Sequence, residues 1–91
     1  MGLIWEVKFV DSDELDGKMG ATTFSKNLIR LNKEITPKLK QQTFLHELLH
    51  VIMWQMGLDK SMGFDDKGEE VIVNTFANGI FAAIEAGIIA L

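Results

Sequence analysis

Apolar and polar residues alternate in part along Leu3 to Val10, with Ile4, Trp5, Val7 and Phe9 set against Glu6 and Lys8. This alternation, and its enrichment in Trp, Val and Phe, predicts a first strand. A polar loop follows from Asp11 to Gly20, punctuated by Gly17 and Gly20. Ala21 to Phe24 and Leu28 to Leu31 read as two further short strands. Ser25-Lys26-Asn27 supplies the turn between them, and Asn32 closes the second. The connections are too short for a helical crossover, so the pattern predicts a small three-stranded, mostly antiparallel sheet over about residues 3–32.

The period then changes. Thr36-Pro37 marks a helix start, with Thr as N-cap and Pro at the first helical position. Leu45, Leu48, Leu49, Ile52 and Met56 recur with helical spacing, and Gly57 is a natural stop. A first helix is expected over 37–56. A second is expected over about 67–90, opened by Asp66 at the N-cap with Glu69 three residues on. Val73, Phe76, Ala77, Ile80, Phe81, Ile84 and Ile88 carry it to the C-terminus. Gly79 and Gly87 weaken it slightly or allow close packing on the first helix. The expected fold is α+β: a small sheet followed by two long helices, in one domain over residues 1–91.

Composition narrows the chemistry. The chain has 91 residues and no cysteine, so disulfides and thiolate metal sites are excluded. That fits a reducing, cytoplasmic setting. Net charge is −4, against a nucleic-acid surface, where a basic patch is expected. Acidic residues gather at Asp11 to Asp16 and Asp65 to Glu70, as solvated loops do. Glu6 and Lys8 interrupt the apolar start, so no signal-peptide core is expected. Residues 71–91 carry one charge, Glu85, but the longest uncharged run, Val71 to Ile84, is 14 residues and holds Asn74 and Asn78. That is short for a membrane span, and a buried helix is expected.

The candidate chemistry sits in the first helix. His46-Glu47-Leu48-Leu49-His50 reads H-E-x-x-H, and these are the two histidines of the chain. Four residues apart on a helix, they lie one turn above each other on one face. Two imidazoles so placed can hold one zinc ion, with Glu47 beside them to take a proton from water. A catalytic zinc usually takes three protein ligands. Here the third must be Asp or Glu, and Asp59, Asp65, Asp66, Glu69, Glu70 and Glu85 all lie downstream. Glu70 falls in the first turn of the second helix, with Asn74 one turn below it on the same face.

Two motifs carry a resemblance. H-E-x-x-H at His46–His50 and E-x-x-x-N-x-F-A at Glu70 to Ala77, preceded by the strand Leu28 to Asn32, resemble the gluzincin arrangement. More narrowly, they resemble the ImmA/IrrE-type and minimal gluzincin metallopeptidases, many of them phage or prophage encoded. The resemblance covers roughly residues 22–80. It implies one zinc ion held by His46, His50 and Glu70, with Glu69 in reserve as third ligand. It also implies that Asn74 orients a ligand.

The activity so implied is hydrolysis of a peptide or protein substrate by metal-activated water, with Glu47 as catalytic base. The strand around Ile29, Arg30 and Leu31 is the expected place for an extended substrate to add as a strand. Gluzincins commonly supply a Tyr or His to the oxyanion. This chain has no Tyr and no third His, leaving the metal, backbone N–H groups or Arg30. The alternative is therefore a metal-binding regulatory or interaction module. The apolar C-terminal helix fits a homodimer or partner-docking face.

Overall fold

The strand β3 (Leu28–Asn32) lies at the centre of the sheet, between β1 (Glu6–Val10) and β2 (Gly20–Thr23). The computed structural model describes residues 4–57 and 65–88. Ile29 and Leu31 of β3 point to one face and are 2% exposed, while Arg30 alternates to the other. On the buried face lies α1 (Pro37–Met56), whose Val51 completes a cluster with Ile29 and Leu31. Trp5, Phe24 and Phe44 pack around that cluster. The first of these rings, Trp5, meets Phe24 and Trp54 edge-on, with centroids 6.0 and 6.3 Å apart.

The sheet is mixed. β2 and β3 form an antiparallel hairpin, closed by a 3-10 turn (Phe24–Lys26) and by Asn27 in the left-handed region at φ 49°. β1 pairs parallel to β3. A parallel pair needs a connection of about a dozen residues or more, though not a helix. Residues 11–27 supply it, with a 3-10 turn (Ser12–Leu15) and β2 itself on the way. The α+β expectation therefore holds, with one antiparallel and one parallel pairing.

α1 has the predicted bounds because its end signals are local. Thr36 Oγ1 accepts a hydrogen bond from Leu39 N at 3.2 Å, Pro37 opens the helix and Gly57 ends it at φ 65°. It packs against β2 and β3 on one side and on the other against the second helix, α2 (Asp66–Glu85). Two contact surfaces explain why its buried residues, Thr43, Leu45, Val51 and Met53, do not form one stripe. Met56, expected on the apolar face, is exposed in the last turn.

α2 departs from expectation at both ends. Its N-cap is Asp65, not Asp66: the backbone there is extended, and Asp65 Oδ1 accepts from Gly68 N at 2.7 Å. Glu69 thus has no capping role. The helix ends at Glu85 rather than near residue 90, because Gly87 turns into the left-handed region at φ 74°. A Cβ at Gly79 would meet nothing, so Gly79 is not a close-packing point. Val73 and Ala77 are the buried residues of α2, while Val71 and Phe76 are exposed. No described helix is long and apolar enough to cross a membrane.

Candidate metal centre

Helical spacing on α1 stacks His46 and His50 with ring centroids 4.9 Å apart, and their Nε2 atoms converge to 3.3 Å. The N-terminal part of α2 brings Glu70 to the same point. Its Oε2 lies 3.4 Å from His46 Nε2 and its Oε1 2.7 Å from His50 Nε2. One ligand atom from each residue can be chosen so that all lie within 4.8 Å of one another. Tetrahedral zinc with bonds of about 2.0–2.1 Å sets its ligand atoms roughly 3.3 Å apart. The separation of the two imidazole nitrogens matches that edge length, and Glu70 presents a different oxygen to each histidine. The contact of Glu70 Oε1 with His50 Nε2 has the length of a charge-assisted hydrogen bond. The donor set, two imidazoles and one carboxylate, is the kind used by catalytic zinc sites.

Glu69 lies behind this point and not in it. Its Oε2 is 2.6 Å from His50 Nδ1, on the side of the ring away from Glu70. With the proton on Nδ1, His50 donates to Glu69 and turns the Nε2 lone pair toward His46 and Glu70. The pair is well shielded, His50 with 14% and Glu69 with 22% of its side chain exposed, whereas Glu70 at 50% marks the open side. Glu69 and Glu70 are neighbours in sequence, about 100° apart around the helix. That rotation sends one carboxylate to each nitrogen of His50.

Glu47, next to His46 on α1, is the most enclosed acid of the group, with 12% of its side chain exposed. Thr22 of β2 donates its hydroxyl proton to Glu47 Oε1 at 2.7 Å. Glu47 Oε2 lies 3.9 Å from His46 Nε2. Glu47 borders two clefts. The larger, about 630 Å³, runs along α1 past His46 between Met19, Leu39 and Ala77. The smaller, about 260 Å³, opens between Thr22, Phe24 and the acidic first turn of α2.

The remaining expected residues lie elsewhere. Asn74 is exposed and lines the larger cleft; among the described residues it makes no hydrogen bond to His46, His50 or Glu70. Glu69, expected as a reserve ligand, has the orienting place expected of Asn74. Strand addition at Ile29, Arg30 and Leu31 is ruled out by topology, because β3 is hydrogen-bonded on both edges. The outer edges belong to β1 and β2, and β2 is the one beside Glu47. Arg30 sits on the sheet face opposite α1, reaching the Glu14 carbonyl at 3.4 Å, so it does not face the metal centre. Thr22 had no signal in the sequence, since a threonine in a short strand is unremarkable.

No known protein family matches this chain, and neither does any curated protein or solved structure. The chemistry of the site therefore rests on its own residues.

Proposed function

We propose that this chain is a zinc-dependent peptide hydrolase of the H-E-x-x-H type, resembling the gluzincins. The observation that carries the reading is the convergence of His46 Nε2, His50 Nε2 and the Glu70 carboxylate beside an enclosed Glu47. Zinc held by these three side chains would supply Lewis acidity, which would lower the pKa of water to about 7.

The chain's own residues do the rest. Glu69 fixes the tautomer and ring orientation of His50. Glu47 Oε2, the oxygen not held by Thr22, accepts a proton from the attacking water and passes it to the leaving amine. The outer edge of β2 lies beside Glu47, where an extended peptide can pair with it. The lack of cysteine fits a cytoplasmic protein.

A second reading has its own support. The chain has no tyrosine and no third histidine, and Arg30 is directed away, so none of these three is offered to an oxyanion. A lost oxyanion donor costs roughly a hundredfold or more in rate. A metal-binding regulatory module that docks a partner or a second copy meets that observation.

Zinc analysis and Glu47→Gln decide between the two. The hydrolase reading expects one zinc per chain in both proteins, and peptide cleavage by the wild type alone. Equal zinc content with no cleavage difference defeats the enzyme reading and leaves the module.

A further inference from the structure

Two of the close approaches between β2 and α1 are in step. A Cβ on Gly20 would stand 2.7 Å from Thr43 Cγ2 and 3.2 Å from the Arg30 carbonyl oxygen. Two residues along the strand, Thr22 reaches Glu47, which is four residues along the helix from Thr43. Two strand residues advance about 6.6 Å. Four helix residues advance about 6.0 Å. Gly20 and Thr22 share one face of the strand, and Thr43 and Glu47 share one face of the helix. The missing side chain at Gly20 therefore sets how near the helix lies to the strand. At that separation a side chain as short as threonine spans the gap to a helical carboxylate.

The consequence is an asymmetric carboxylate. Oε1 of Glu47 is occupied by the Thr22 hydroxyl, and Oε2 is the oxygen near His46 Nε2. A glutamate has three side-chain torsions, and one bond to a fixed strand removes much of that freedom. We propose that Thr22 is a positioning residue for Glu47, with Gly20 setting the distance at which it works. Thr22 lines the smaller cleft beside Glu47 but is not one of the three residues whose ligand atoms converge. It acts by holding Oε2 toward His46. The effect on turnover rests on the hydrolase reading above, whereas the effect on Glu47 geometry does not.

The test compares the zinc-loaded full chain with Thr22→Val, which keeps the shape and loses the donor, and Thr22→Ser, which keeps the donor. Zinc content, crystal structures and turnover of fluorescein-labelled casein are measured for each. Thr22→Val is expected to keep its zinc, to release the Glu47 carboxylate from its wild-type position, and to lower kcat roughly ten- to a hundredfold. KM should stay within about twofold, and Thr22→Ser should recover most of the rate. A Glu47 carboxylate unmoved in Thr22→Val overturns the proposal, as does a serine variant no better than the valine one. If the valine variant fails to fold, the wild-type hydroxyl proton decides. A slowly exchanging Thr22 hydroxyl with a cross-peak to Glu47 supports the bond, and a freely exchanging one overturns it. If the wild type cleaves no casein, the hydrolase reading fails, while the crystal and exchange measurements still judge the positioning claim.

Discussion

The middle of α1 and the N-terminal part of α2 contribute to the same centre by different means. On α1, helical spacing alone sets His46 and His50 one turn apart, so their relation survives any movement of the helix as a whole. On α2, Glu69 and Glu70 reach opposite sides of the His50 ring because the helix packs at one rotation against α1. One half of the centre is local and the other is tertiary. The local half is robust and inert until the tertiary half meets it.

Substitutions at the centre break this comparison most strongly. His50→Ala removes a donor from the local half and leaves Glu69 and Glu70 facing each other without the imidazole between them. Stoichiometric zinc binding should be lost in dialysis against the metal. Glu69→Gln removes only the orienting carboxylate and should weaken zinc by roughly ten- to a hundredfold, read by competition with a chelating dye. Equal losses from the two would mean that Glu69 is itself a ligand.

The next effect concerns the distance between α1 and the sheet. Gly20→Ala forces a methyl group against Thr43 and should destabilise the fold by about 1–3 kcal/mol in chemical denaturation. Thr43→Ser in the same chain removes the opposing Cγ2 and should recover part of that loss. Absence of any recovery would locate the strain against the Arg30 carbonyl instead.

The start of α2 gives a smaller, sharper contrast. Asp65→Ala removes the side-chain cap and should cost about 1 kcal/mol. Asp66→Ala removes only a first-turn acid, worth roughly 0.3 kcal/mol. Reversal of that order in thermal unfolding would move the cap by one residue.

The smallest effect lies far from the centre. Lys33 Nζ is 2.7 Å from Asp11, and its pKa is raised, first by that hydrogen bond and then by the Asp11 charge. A value raised in the folded state contributes stability that is complete below the ordinary lysine range. It disappears as pH rises through the folded value. Both groups are more than half exposed, so salt should screen the effect. Denaturation of wild type and Asp11→Asn should differ slightly at neutral pH and converge in strong alkali or high salt.

The contrast between local and tertiary also accounts for what the sequence disclosed. The bounds of α1 were legible because Thr36, Pro37 and Gly57 act within one turn. The start of α2 was misread by one residue because Asp65 and Asp66 are chemically identical neighbours, and only backbone geometry chooses between them. The direction of β1 was not legible, since its partner lies beyond an intervening strand. Period two does put Arg30 opposite Ile29 and Leu31, which is enough to turn it away from α1 once the buried face is known. The bond from Thr22 to Glu47 was beyond reach, because it depends on how closely Gly20 lets the helix approach.

A crystal structure of the zinc-soaked protein, with anomalous data at the zinc edge, tests the central claim most directly. The account predicts one peak about 2.0–2.2 Å from His46 Nε2, His50 Nε2 and a Glu70 carboxylate oxygen, with Glu69 still on His50 Nδ1. A peak bound by Glu69, or no peak between the two histidines, would contradict it.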